Sequence, residues 1–334
     1  MFIKNFNHMR EMINSDRKRK VAVVCAHDMN ALEAVLQAHA EGLMDYILIG
    51  RQNVILEKGR MHNYQISTGD IIDCNNDREC ARIAIKLVQE GKADFIEKGL
   101  IQTATLLREV VNPETGLNIG KPISHVALLD TEKYHKIIAV TDGGVIIKPD
   151  LAMKKAVIEN AVSAFHNLGY DMPKVAALCA IEKVNPKMPE TLDAQALSEM
   201  AEMGEIEDCY IAGPISIDLA CNAESATIKG YHHPVAGDVD ILLVPEITAG
   251  NIVVKAITGF SSAKFAGCVV GAKCPIALNS RSSSFEEKYY GLIACSLMVD
   301  QKERKEAQTL EEMRYKERVA LKRKARNEKA AERG

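Results

Sequence analysis

Val21-Ala22-Val23-Val24-Cys25 and Tyr46-Ile47-Leu48-Ile49-Gly50 are two short apolar runs with one amphipathic segment, residues 29–41, between them. An apolar run without polar alternation is what a strand covered on both faces requires. Between the runs, Ala31, Leu32, Val35 and Leu36 fall on one side at helical spacing. Strand, helix, strand is a βαβ unit, so this stretch argues for α/β layers around a mostly parallel sheet.

The rhythm continues outward. Residues 77–91 read as a helix, with Ala81, Ile83, Ala84 and Leu87 at helical spacing. It breaks near Gly116–Pro122. Val126–Leu129 and Ile137–Val140 then follow one another too closely for a crossover helix, which predicts an antiparallel pair and the start of a second domain. Helices are expected at 151–168, 191–203, 218–229, 250–264 and 284–299. The intervening strands are expected at Val175–Ala180, Cys209–Ala212, Ile241–Val244 and Cys268–Gly271.

Composition narrows the function classes. The chain of 334 residues is long enough for two domains. A formal net charge of -3 offers no global basic field for nucleic acid, and the absence of Trp removes the best stacking platform. No apolar run approaches the ~20 residues of a membrane span, and the first residues lack a hydrophobic leader. Nine cysteines without a C-x-x-C fit a reducing, cytoplasmic setting rather than a zinc or disulfide scaffold. Residues 300–334 stand apart, with 12 Lys and Arg against eight Asp and Glu, and read as a solvated helical extension.

Most familiar motifs fail on inspection. In Gly116-Leu117-Asn118-Ile119-Gly120-Lys121 the glycines are too close for a phosphate loop, and Pro122 stands where a magnesium-binding hydroxyl belongs. G-x-G-x-x-G, H-E-x-x-H and G-x-S-x-G are absent. Gly237-Asp238-Val239-Asp240 supplies too few oxygens for a divalent ion, so no metal is expected. Gly213-Pro214-Ile215-Ser216-Ile217-Asp218 follows a strand and opens a helix, the place where open α/β sheets bind ligands; it reads equally well as a turn. Asn251 suits a helix start, with Lys255 one turn on. Lys98 and His125 adjoin apolar runs and could line a cleft.

The chemistry concentrates in Cys274-Pro275-Ile276-Ala277-Leu278-Asn279-Ser280-Arg281-Ser282-Ser283-Ser284-Phe285-Glu286-Glu287. A strand-like run passes through a polar turn into a helix, whose first N–H groups and positive dipole end attract anions. Arg281 adds a planar fork of donors suited to phosphate, and Ser282 and Ser283 add hydroxyls. Glu287 has two readings: a base beside the phosphate, or the closing residue of an S-x-x-E capping box with Ser284, which the local pattern alone favours.

These pieces together resemble the phosphate acetyl/butyryltransferase family, most closely its butyryl branch. The resemblance is carried by Lys98–Thr105, Gly120–Val126, Val184–Pro189, Gly213–Asp218, Pro234–Pro245, Ala249–Asn251 and Gly271–Arg281, in order over roughly residues 15–300. It implies two three-layer α/β domains with a cleft between them, like isocitrate and isopropylmalate dehydrogenases. One domain would comprise 1–121 with 268–300, the other 122–267, and 301–334 would be an extension. It implies transfer of an acyl group between coenzyme A and inorganic phosphate, both as substrates, without cofactor or metal, in a homodimer. Catalytic roles would fall on Ser280, Arg281 and Glu287, and substrate binding on Lys98, Lys121, His125, Ser216, Asp218, Asn251, Lys255, Ser282 and Ser283. No acyl-enzyme is required, though Cys274 adjoins the motif. Other acyl chains (acetyl, propionyl, branched) or a non-catalytic CoA-binding role are the alternatives. Butyryl-branch members commonly carry arginine where this chain has Asn118, which removes a positive charge.

Overall fold

The computed structural model describes residues 2–13 and 18–299; the basic stretch 300–334 lies outside the described residues. In the first half, strands β1 (Arg19–Val24), β2 (Met44–Gly50), β3 (Ile71–Asp73) and β4 (Phe95–Lys98) alternate with helices. These are α2 (Met29–Ala40), α3 (Gln52–Met61), α4 (Asp77–Gln89) and α5 (Thr103–Val110), after a short N-terminal α1 (Phe6–Glu11). The βαβ reading of residues 21–50 holds: β1 and β2 are parallel, from Arg19 opposite Met44 to Val24 opposite Ile49. Helix α2 buries Ala31, Leu32, Val35 and Leu36 as its spacing requires. Asp28 caps it by accepting from the Ala31 N–H at 2.8 Å.

The second half begins with β5 (Ser124–Asp130) and β6 (Ile138–Thr141), antiparallel as expected. Then come α6 (Leu151–Asn167), β7 (Lys174–Leu178), α7 (Pro189–Glu202), β8 (Tyr210–Ile215), α8 (Ile217–Cys221), α9 (Ala223–Ile228), β9 (Ile241–Leu243) and α10 (Ile247–Phe260). The chain returns through β10 (Lys264–Val270) and β11 (Ile276–Ala277) to a last helix, α11, over residues 285–299.

Three elements depart furthest from the sequence reading. The helix expected over 218–229 is two, because Asn222 turns extended and its side chain caps the second by accepting from the Glu224 and Ser225 N–H groups. The helix expected over 250–264 runs from Ile247 to Phe260. Ser261 ends it in an extended conformation, its hydroxyl donating to the Ile257 carbonyl and accepting from the Ala263 N–H. The strand expected at Cys268–Gly271 starts at Lys264, because seven residues of β10 pair with β5.

Among the described residues all strands join one sheet in the order β3-β2-β1-β4-β11-β10-β5-β6-β9-β7-β8. Strands β1 to β4 and β11 are mutually parallel, whereas β6, β9, β7 and β8 run the opposite way, because β5 and β10 enter antiparallel between them. The carboxyl ends of the two parallel groups therefore open on opposite edges. The two faces are covered differently. On one, a single core runs from Phe6, Val21 and Leu32 through Val126, Cys268 and Phe165 to Leu197 and Ile211. On the other there are two cores, one built on Val24, Ile96 and Val269, the other on Ala127, Val140 and Leu242. They part over β10 and β5, where Gly267 and His125 lie. Among the described residues no helix is long and apolar enough to cross a membrane.

Candidate active site

Where the two cores part, the chain leaving β11 crosses the sheet. The Leu278 N–H donates to the Gly267 carbonyl at 2.9 Å, and Asn279 Oδ1 accepts from the Gly267 N–H at 2.8 Å. A Cβ on residue 267 would lie 2.3 Å from the Leu278 carbonyl oxygen, so only glycine permits this approach. Buried Asn279 also donates through Nδ2 to the Glu287 carbonyl at 3.1 Å, joining β10 to α11. His125 turns its ring to the Leu278 carbonyl from below. Burial holds its pKa below the ordinary imidazole value, against the opposing pull of Asp142.

Ser280, Arg281 and Ser282 then form an exposed turn, with the two serine hydroxyls 3.1 Å apart. The Ser283 N–H closes it by donating to the Ser280 carbonyl at 3.1 Å. The capping box is formed: Ser284 Oγ accepts from the Glu287 N–H at 3.2 Å, and Glu287 Oε2 accepts from the Ser284 N–H at 3.0 Å. Asn30, in the first turn of α2, donates to the Ser283 carbonyl at 2.9 Å and holds the turn from the other side.

Beneath the turn lies a charged cluster. Lys288, in the first turn of α11 and 1% exposed, donates to Asp28 Oδ1 at 2.8 Å. Burial pushes the Asp28 carboxyl up, but the hydrogen bonds from Lys288 and Ala31 outweigh it and hold it below the usual range. Lys98 ends β4 and donates to the Gly99 carbonyl at 3.3 Å. Burial, then repulsion from Lys288, lowers its pKa, and Arg281 is near enough to add to that repulsion. Glu97 beside it is fully buried, with no hydrogen-bond partner on either oxygen.

The structure thus gathers Ser280, Arg281, Ser282, Ser283, Glu287 and Lys98 at one edge, with His125 under the strand that leads there. Asn251 joins indirectly. It donates to the Gly143 carbonyl at 3.4 Å, and neighbouring Gly144 packs on the His125 ring. Lys255 lies one turn further along α10, exposed. Other candidates lie elsewhere. Ser216 donates to Glu182, and Lys229 bridges Glu182 and Asp218 at 3.1 Å each, at the end of edge strand β8. Lys121 lines a 460 Å³ cavity with Gly271–Pro275, at the opposite end of the β10–β11 hairpin from Ser280. Cys274 is buried in that same turn. Asn118 stands where the missing arginine is expected; it accepts from the Gly120 N–H at 2.7 Å and so shapes the Lys121 turn. The Asp238 and Asp240 carboxylates are engaged by Lys136, and Asp238 also by Lys174.

Sequence reasoning missed Asp28, Asn30, Glu97, Asn279 and Lys288. One signal was available: Lys288 occupies a core-facing position of α11, whose later turns are apolar, and a buried charge needs a partner.

The chain is similar to known proteins over most of its length. The family described as Phosphate acetyl/butaryl transferase matches residues 73–295. A phosphate butyryltransferase from Clostridium acetobutylicum is 39% identical over 90% of the chain and 100% of its own length. The crystal structure of a branched-chain phosphotransacylase from Enterococcus faecalis superposes with a TM-score of 0.73 at 32% identity, covering 84% of this chain and 99% of that one. A putative 4-hydroxythreonine-4-phosphate dehydrogenase from Salmonella typhimurium, 13% identical and covering 84% of this chain and 100% of its own, shares the fold alone at a TM-score of 0.51.

Proposed function

The chain belongs to the phosphate acetyl/butyryl transferase family, and we propose that it interconverts butyryl-CoA and inorganic phosphate with butyryl phosphate and coenzyme A. The observation that carries this reading is the exposed Ser280-Arg281 turn, fixed at the start of α11 by Asn279, Asn30 and the capping box. A guanidinium and a helix start together suit a phosphate dianion.

In the direction of thioester formation, Glu287 takes the proton of the CoA thiol. The thiolate attacks the acyl phosphate carbonyl, Ser280 donates to the developing oxyanion, and phosphate leaves into the grip of Arg281. A carboxylate accepts several hydrogen bonds, so the bond from the Ser284 N–H leaves Glu287 acceptor capacity for the thiol. Both substrates are held together and neither a metal nor a nucleotide cofactor takes part.

We assign the two parallel strand groups to two lobes meeting at β5 and β10. The lobes correspond to 1–121 with 268–300 and to 122–267. We assign a cytoplasmic setting, consistent with nine cysteines and no disulfide. A homodimer is supported by α10, an apolar helix whose Ile252 and Phe260 are 61% and 94% exposed.

The test is thiol release from butyryl-CoA, with no metal or NAD added, against phosphate concentration and across acyl chains from acetyl to branched. Phosphate-dependent release that peaks at butyryl is expected. Release from no acyl-CoA overturns the reading, and a peak at a branched chain reassigns the substrate.

A further inference from the structure

Glu97 sits next to last in β4, flanked on its row by Val23 of β1 and Ala277 of β11. The groups that face it are Lys288 and Cys295 from α11, Asp28 from the start of α2, and Lys98 from its own strand. Neither ammonium is committed to it. Lys288 donates to Asp28 and Lys98 to the Gly99 carbonyl. Both Glu97 oxygens are buried without a partner, a costly place for a full negative charge.

A charge count shows what its proton does. Formally Lys98, Lys288 and Arg281 are positive and Asp28 and Glu287 negative, so with Glu97 neutral the cluster carries +1 and attracts an anion. With Glu97 ionised that net charge is cancelled. Building on the phosphate-site reading above, we propose that Glu97 is a proton-linked positioning residue: it must be neutral for Lys98 and Arg281 to hold the phosphate dianion at full strength, and phosphate binding draws a proton onto it.

Burial raises the Glu97 pKa to about 8, with Lys288 and Lys98 pulling against it. Below that pH the acid keeps its proton. As pH rises through it, a negative charge appears beneath the anion site. A bound dianion repels that charge and makes the proton harder still to remove, and by reciprocity rising pH weakens phosphate binding. The substrate's own second ionisation acts in the opposite sense, since alkaline pH supplies more dianion. Lys98, whose pKa is lowered, also loses charge as pH rises, so the test must separate the two.

The experiment measures KM for phosphate at saturating butyryl-CoA, at pH 7 and pH 9, in the wild type and Glu97→Gln. If bound phosphate makes the Glu97 proton harder to remove by about one pH unit, wild-type KM, expressed as the phosphate dianion, rises about five-fold over this interval with a smaller change in kcat. Glu97→Gln flattens that rise to less than about two-fold. A variant that keeps the wild-type slope overturns the proposal and leaves Lys98 as the titrating group. A second measurement uses wild-type protein and needs no turnover. Calorimetry of sulfate binding at pH 8, in buffers of different ionisation enthalpy, should show uptake of about 0.4 proton per anion. Proton release, zero uptake or absence of sulfate binding refutes it. Uptake in a protein that turns over no acyl-CoA would instead sink the activity and leave the anion site standing.

Discussion

Asp28→Asn, Lys288→Met and their combination test whether the buried pair holds the turn in place. Asp28 Oδ1 accepts from both the Ala31 N–H and Lys288 Nζ, each at 2.8 Å, with side chains 9% and 1% exposed. Asn keeps the acceptor for the α2 cap, so the cap's ~1 kcal/mol is retained. What Asp28→Asn removes is the charge opposite a buried ammonium, and breaking a buried pair costs about 3–5 kcal/mol. We expect about 3 kcal/mol, since Glu97 can ionise toward Lys288 and recover part of the loss. Lys288→Met strands Asp28, with Lys98 compensating in part; about 2–3 kcal/mol is expected. Removing both charges strands neither, so the double variant should lose no more than about 2 kcal/mol. The assay is urea denaturation at pH 7 followed by far-UV circular dichroism. A double variant that loses the sum of the singles, or singles that each lose under about 1 kcal/mol, refutes the reasoning.

The remaining predictions concern the same turn and the surface. Glu97→Gln should stabilise the protein at neutral pH. The folded pKa of about 8 lies above the ordinary 4.5, so the contribution of the protonated acid is fully present below about 4.5, is lost as pH rises to about 8, and is constant above. At pH 7 that loss is about 3 kcal/mol, and urea midpoints at pH 5, 7 and 8.5 should converge in the variant. Asn279→Ala orphans the Gly267 N–H and releases the Glu287 carbonyl. It should cost about 2–3 kcal/mol in the same assay and lower thiol release disproportionately. Ile252→Asp, on an exposed position of α10, should leave the melting of each subunit within about 0.5 kcal/mol yet shift sedimentation to the monomer; unchanged sedimentation would place the dimer face elsewhere.

The βαβ start was legible because burial of both sheet faces forces apolar runs, and Val21–Cys25 has no other use. The antiparallel pair was legible from the short spacing between Val126–Leu129 and Ile137–Val140. The start of β10 was not, because Lys264 and Phe265 look like the end of a helix until β5 is seen to offer seven pairing partners. Ser216 and Asp218 lie away from the Ser280 turn for a topological reason. A strand-to-helix turn looks locally the same in either half, but β5 and β10 reverse the sheet direction, so that turn opens on the other edge. At the site itself, Ser280, Arg281 and the Ser284–Glu287 capping box are local and could be read directly. Asp28 and Lys288 meet across 260 positions of sequence, and Glu97 is defined by what it lacks, a partner. The core-facing place of Lys288 signals that a partner is needed, but neither the identity of that partner nor the lack of one at Glu97 has a local signature.

Glu287→Gln tests the central claim most directly. Gln closes a capping box as Glu does, so the variant keeps the turn and removes only a base. In the butyryl-CoA and phosphate thiol-release assay we expect kcat to fall by about 100-fold or more with the urea midpoint unchanged. Arg281→Ala, at an exposed position, should cost a similar factor in kcat/KM for phosphate. Wild-type turnover in a folded Glu287→Gln protein would leave Glu287 as a helix cap and nothing more.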